Sequence, residues 1–326
     1  MKSVPMCAMD FSWLRSMNKL ARVGRVDNNV PPNIVAAIFD TTSIVQATNP
    51  VLFDLIIILV SILSGCFGAM LGLGGGVILI PVLVSVLGVD VKTAIAASLV
   101  AVVTTSGAAA LVRGRDSMSN YRVGVTLEVA AGLGAIAGAT LATIARADVL
   151  TILFGVSLLM TAALSWRGVT DVATVLPQSW WGRVLQLDGI EETNEGIRVY
   201  HVQKVPVGLG VMTIAGLLSG MLGIGSGAYK VLAMDSCMRM PFRESTITSN
   251  FMIGITAASG VMVYLRDGMV DPTIAGPVLI GIVPGAMFGS WLVPKIHVST
   301  LKKIFLVVLL CIGLQMMFKG GAELLK

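Results

Sequence analysis

Gly72-Leu73-Gly74-Gly75-Gly76 interrupts an apolar run that extends from Leu55 to Val89 without a charged residue. Four glycines in five residues make a poor helix, because glycine loses the most backbone entropy on ordering and offers no side chain for packing. Inside a bilayer such a break is tolerated only where the freed N–H and C=O groups face protein or a water-filled cavity. The break therefore marks a site. The 35 uncharged residues would form a single helix about 52 Å long at 1.5 Å per residue. The hydrocarbon core is only about 30 Å thick. One straight crossing does not fit; a hairpin, or a helix followed by a short re-entrant helix, does.

The rest of the composition agrees with a membrane. Of 326 residues, 55% are hydrophobic and 13% charged, against about 25% charged in soluble globular chains. The net charge of +5 comes with no basic tract carrying interleaved aromatics, so no nucleic-acid partner is expected. Cys7, Cys66, Cys237 and Cys311 are widely spaced and form no disulfide framework or zinc signature. His201 and His297 lie near segment ends, so neither a metal site nor any cofactor is expected. His201 reads as a strand or loop residue.

The break occurs twice. Gly223-Ile224-Gly225-Ser226-Gly227 stands 151 residues downstream, and the two halves align at that offset without a gap. Met70-Leu71-Gly72 matches Met221-Leu222-Gly223, Ser98 matches Ser249, and Thr105 matches Thr256. Arg115-Asp116 matches Arg266-Asp267, Gly134-Ala135 and Gly138 match Gly285-Ala286 and Gly289, and Leu150 and Phe154 match Leu301 and Phe305. Glycines alone can coincide by composition. A charged pair held in the same register is harder to obtain that way, so the chain is read as internally duplicated.

This divides the sequence into a basic N-terminal arm (1–50), a first transmembrane repeat (51–166), an extramembrane loop (167–204), a second repeat (205–320) and a tail (321–326). Within the arm, Ile34 to Val45 is too short to span and contains Asp40, which fits an interfacial helix. Apolar segments follow at 49–71, 77–89, 93–112, 123–143 and 149–166, then at 207–222, 228–237, 245–265, 273–293 and 301–318. In the central loop, 183–187 and 197–202 partly alternate about turn residues and are read as a hairpin; Trp180 and Trp181 have the character of interfacial anchors. If each break returns the chain to its starting side, three further crossings place the end of each half opposite its start. The repeats are then inverted, an arrangement common in secondary transporters. Lysines and arginines divide almost evenly between the two sides and do not orient the protein.

Several residues have the chemistry of an anion site. Freed N–H groups at Gly72, Gly74, Gly75 and Gly76, and at Gly223, Gly225, Ser226 and Gly227, each precede a helix start and create positive potential. The plainer alternative is close helix packing through small residues, but packing motifs space them rather than running them together. Lys230, three residues past the second break, replaces Leu79 of the first half. An ammonium in hydrocarbon costs at least about 2.5 kcal/mol, so such lysines face cavities or partners, unless the side chain snorkels to the interface. Asp235 is a partner in reach, though out of helical register. Ser98 and Ser249 are a matched pair of hydroxyls, and Asn250 is a strongly polar amide that needs partners if buried. Glu128 is a candidate proton-coupling carboxylate. No serine–histidine or carboxylate–histidine constellation appears in the apolar segments, so no catalytic residues are assigned and no enzyme is expected.

At these residues the sequence resembles the sulfite exporter TauE/SafE family of membrane permeases. The likeness rests on Gly68 to Pro81 (GAMLGLGGGVILIP) with Ala96-Ala97-Ser98, and on Gly220 to Gly227 (GMLGIGSG) with Thr248-Ser249-Asn250-Phe251. The second copy departs from the pattern at Ser226, at Leu232 in place of a proline, and at Lys230. The resemblance implies multi-pass transporters of sulfite, sulfonates or related organic anions, some of them proton-linked.

The expectation is an all-α integral membrane protein of two inverted repeats with eight to ten membrane segments in the cell membrane. It carries a small anion by alternating access, and its partners are that anion, membrane lipid and, as an open alternative, a second copy of the chain. An anion channel and a non-transporting membrane scaffold are the rival readings.

Overall fold

A computed structural model describes residues 50–324 apart from 73, 114–119, 167–178, 194–195 and 293–297. The basic arm with its interfacial helix, the Arg115-Asp116 pair and His297 lie outside the described residues. The first half contains α1 (Pro50–Leu71), α2 (Gly76–Ser85), α3 (Val91–Arg113), α4 (Tyr121–Ile144) and α5 (Ala147–Trp166). A short helix α6 (Trp180–Val184) and strands β1 (Gly189–Thr193) and β2 (Gly196–Tyr200) follow. The second half contains α7 (Val205–Leu222), α8 (Gly227–Leu232), α9 (Phe242–Arg266), α10 (Pro272–Leu292) and α11 (Val298–Leu324).

The chain is an all-α membrane protein. Among the described residues, six helices are long and apolar enough to cross a bilayer: Val51–Met70, Val91–Val112, Tyr121–Ile144, Val205–Leu222, Glu244–Arg266 and Pro272–Leu292. Gly76–Ser85, Ala147–Ala163 and Leu309–Gly321 are shorter apolar helices. Exposed apolar side chains such as Leu59, Leu63, Leu133 and Ile280 ring the outside, where a lipid tail is as good a solvent as another leucine.

Helix packing uses small residues in register. Gly281, Gly285 and Gly289 of α10 sit against the carbonyls of Ile58, Ile62 and Cys66 of α1. Gly134 and Gly138 of α4 sit likewise against Thr213 and Leu217 of α7. A Cβ at any of these positions would collide with the facing carbonyl oxygen, so glycine is what lets the backbones approach. The sequence offset carries one interface onto the other: Gly134 on Thr213 corresponds to Gly285 on Ile62, and Gly138 on Leu217 to Gly289 on Cys66.

These contacts also give directions. Residue numbers rise together along α1 and α10, and along α4 and α7. They rise together again along α4 and α9, where Gly124 meets Thr248 and Gly132 meets Ser259. Along α3 and α9 they run oppositely, with Ser106 at Gly254 and Leu99 at Gly260. The α2 segment returns along α3, since Gly74 meets Val102 and Gly76 meets Ser98.

The central loop differs from its reading in the sequence. Residues 183–187 form no strand: Ser179 caps α6 by accepting from the Gly182 N–H at 3.0 Å, and the chain turns through Gln186 at φ 50. The antiparallel hairpin starts later and pairs Gly189 with Tyr200 and Thr193 with Gly196. Asn120 ties it to the membrane domain, donating to the Leu187 carbonyl at 2.9 Å and to the Tyr200 hydroxyl at 3.0 Å while accepting from the Val123 N–H at the start of α4. Trp180 and Trp181 are exposed and pack edge to face. His201 follows β2 and lies 3.1 Å from Asp188.

Candidate functional site

The two breaks share one backbone conformation. Gly72, Gly74 and Gly75 have φ of 67, 81 and 77°, and Gly223, Gly225 and Ser226 have 69, 77 and 49°. Three left-handed residues in four cannot extend a helix, and each set ends at the first residue of a new one, Gly76 or Gly227. Neither new helix has a side-chain cap, so no capping side chain takes up its first N–H groups. Ser226 pays the steric cost of a left-handed conformation that glycine escapes.

Beyond the breaks the likeness persists. Leu87 N–H bonds to Val82 C=O and Val89 N–H to Leu83 C=O; the matched residues Met238 and Met240 bond to Ala233 and Met234. The second copy is widened into a π-helical turn over Ala233–Cys237, a form that recurs at functional sites.

The breaks meet in the core. Ser98, fully buried, donates to the Gly223 carbonyl at 2.8 Å, and Gly76 packs against that same carbonyl and the Ser98 hydroxyl. Gly72 packs against the Asn250 side-chain oxygen, while the Asn250 carbonyl accepts from Ser106 at 3.1 Å. Ser249, although matched to Ser98, bonds within its own half to the Gly227 carbonyl at 3.1 Å. Gly75 accepts from Ser64. The buried hydroxyls of Ser226, Ser245 and Thr248 find no hydrogen-bond partner among the described residues.

Lys230 does not snorkel. Its side chain is 0% exposed and its ammonium lies 3.4 Å from Glu128 Oε2, with a further hydrogen bond to Thr256 Oγ1. Thr256 in turn donates to Glu128 Oε1 at 2.5 Å and lies 3.1 Å from the Met252 carbonyl. Its single proton goes to the carboxylate, the stronger acceptor. The ion pair closes on Glu128, where sequence spacing had offered Asp235. A buried charge pair is retained only when its geometry satisfies both ions, and Thr256 supplies that link. An ammonium has three donors; Glu128 and Thr256 take two of them. Beside this cluster, Tyr229 donates to the Ser157 carbonyl at 2.7 Å and pins α8 to α5.

Sequence reasoning named Lys230 and Glu128 separately and left Thr256 out of the site. Its match to Thr105 was the available signal. Thr105 bonds only to its own helix, at the Ala101 carbonyl. Elsewhere, an apolar cavity of about 480 Å³ between α3, α9 and α10 is lined by Val100, Thr104, Met262 and Leu279. A polar cavity of about 380 Å³ lies beside the hairpin, at Arg122, Arg183 and Asp188. Among the described residues, no group of three or more His, Cys, Asp or Glu side chains is arranged to hold a metal ion.

A multi-pass bundle whose broken helices enclose a buried ion pair has the build of a solute transporter. The chain belongs to the sulfite exporter TauE/SafE family, which matches residues 57–316. It is similar to "Probable membrane transporter protein YunE" of Bacillus subtilis, with 25% identity over 81% of this chain and 97% of the relative. It is also similar to "Probable membrane transporter protein YdhB" of the same organism, with 27% identity over 74% and 92%. A "Probable membrane transporter protein" of Xylella fastidiosa is 26% identical over 80% and 95%. No solved structure matches the chain. The protein is a multi-pass membrane transporter, and its family and relatives are named for transport rather than catalysis.

Proposed function

We propose that the protein is a secondary carrier, an exporter by its family's name, for sulfite, organosulfonates or related small anions. The observation that carries this reading is a fully buried lysine one turn past a helix break whose N–H groups are uncapped. Gly72, Gly74, Gly75 and Gly76 from one break and Gly223, Gly225, Ser226 and Gly227 from the other line the site. Ser98, Ser249 and Asn250 orient oxygens, Lys230 supplies charge, and Glu128 is the proton-coupling candidate. The unpartnered Ser226 hydroxyl supports a ligand there, because a buried hydroxyl without a partner is costly.

Transport proceeds by alternating access between two inverted repeats, residues 51–166 and 205–320. Helix directions support the inversion. The α3 helix and its match α9 cross antiparallel, whereas helices related by a parallel repeat would run together. Sites at the interface of inverted repeats, formed by discontinuous helices, are the usual arrangement in such carriers.

Purified protein in proteoliposomes tests the reading. Uptake of sulfite or a sulfonate should saturate with concentration and accelerate when the same anion is preloaded inside. Flux that neither saturates nor shows counterflow would mean a channel, and no flux with no binding would remove the transport assignment to these anions.

A further inference from the structure

Resting on the carrier reading, we propose that the Lys230–Glu128 pair is a charge latch: the substrate anion and the Glu128 carboxylate compete for one ammonium, so a monovalent oxyanion binds together with one proton.

The geometry sets the competition. Glu128 on α4, Lys230 on α8 and Thr256 on α9 close a three-membered contact in which both carboxylate oxygens are used, one by the ammonium and one by the hydroxyl. In this arrangement Lys230 and Glu128 sum to zero charge. An anion approaching from the α8 break would meet a neutral pair, and a third charge would be left uncompensated in a water-poor interior. Taking a proton from water onto Glu128 converts the carboxylate to a neutral acid that still hydrogen-bonds to its neighbours. One positive charge is then free for one negative charge. No bond other than the O–H bond of Glu128 forms, and Lys230 remains an ammonium.

The other ionisable groups of the packed elements are placed as follows. The α7 helix, packed along α4, contains no ionisable side chain. On α9, Arg243 and Glu244 stand in the first turn and Arg266 in the last, where it pairs with Asp267. Tyr264 donates to the Gly220 carbonyl at 3.1 Å. On α8, Tyr229 points to Ser157, and Asp235 lies on the following π-helical turn. On α4 itself, Arg122 bonds to Gln186 beside the hairpin. Lys230 is thus the ion-pair partner of Glu128 among the described residues.

The latch also selects by charge. With one uncompensated cation, a sulfonate or hydrogen sulfite balances the site, whereas sulfate brings a second negative charge with no partner. Methanesulfonate is the suitable probe because it remains a monoanion on both sides of neutral pH, unlike sulfite.

The test is calorimetric binding of methanesulfonate to the full chain in detergent, at several pH values and in weakly buffered solution. Wild type should bind more tightly as pH falls, by up to about tenfold per pH unit, the slope of one linked proton, and should take up about one proton per anion. Glu128→Gln, which keeps an oxygen for the hydrogen bonds, should bind with no pH slope and no proton uptake. Sulfate should bind wild type at least tenfold more weakly. Wild-type binding with no proton uptake, an unchanged pH slope in the glutamine variant, or sulfate binding equal to methanesulfonate would overturn the latch while leaving the carrier standing. If neither methanesulfonate nor sulfite binds or is transported by wild type, the carrier reading itself fails.

Discussion

The two helix breaks have the same backbone and different chemistry. Lys230 and Thr256 of the second half join Glu128 of the first beside the second break, whereas the matching positions Leu79, Thr105 and Leu279 beside the first break hold no charge. Leu79 is buried among aliphatic side chains, Thr105 bonds back to its own helix, and Leu279 lines an apolar cavity. The first break is a neutral run of glycines; the second has the same backbone with an ion pair beside it, its lysine from one half and its carboxylate from the other. The matched breaks share a backbone, and the proposed site rests on the residues that differ around it.

That contrast is sharpest for Lys230→Met. It leaves Glu128 buried without its cation and is expected to destabilise the protein by about 3–5 kcal/mol, the typical cost of breaking a buried pair. Leu79→Met, the matched change in the other half, keeps volume and chemistry and should cost less than about 1.5 kcal/mol. Denaturant unfolding in detergent compares the two; equal effects would mean that the halves are energetically alike.

A smaller difference is expected at the matched threonines. Thr256→Val removes a hydrogen bond to a charged carboxylate and should cost about 1.5–3 kcal/mol. Thr105→Val loses only a bond to a carbonyl of its own helix and should cost about 1 kcal/mol or less. The same unfolding assay reads both. A valine at 256 that is no worse than one at 105 would show that the cluster is not held together by its hydroxyl.

The smallest effect has the opposite sign. Ser226→Gly should stabilise by about 1 kcal/mol, because φ 49° is strained for serine and free for glycine. Transport should fall despite the gain, if the unpartnered hydroxyl serves the anion. Rising stability with unaltered transport would reduce Ser226 to a tolerated replacement of glycine at the position matched to Gly75.

Much of the frame is legible in sequence because it depends on local rules. Glycine runs announce the breaks, the constant offset announces the duplication, and apolar length announces the spans. Gly134 with Gly138, and Gly285 with Gly289, can be matched on paper, yet their work as backbone contacts appears only when α4 meets α7 and α10 meets α1. The hairpin is displaced from its expected start because Ser179 caps a helical turn that alternation of residues does not reveal.

The site is less legible, for a physical reason. Lys230 and Glu128 are 102 residues apart, and no helical period links residues on different helices. Asp235 is nearer along the chain, but tertiary packing of α4 against α9 sets the actual partner. Ser98 and Ser249 show the same limit from the other side: identical positions in the repeat, yet one bonds across the halves to Gly223 and the other within its half to Gly227. Sequence symmetry predicts the backbone, whereas partner choice follows from side chains that differ around it, such as Asn250 against Leu99.

The claim that the second break supplies the substrate charge is tested most directly with the charge-neutral double variant Lys230→Met, Glu128→Met. Replacing both members of a buried ion pair by apolar residues is often neutral or stabilising, so the frame should persist. Counterflow of labelled methanesulfonate in proteoliposomes is the measurement. The account predicts a folded protein with no counterflow; counterflow at the wild-type rate would contradict it.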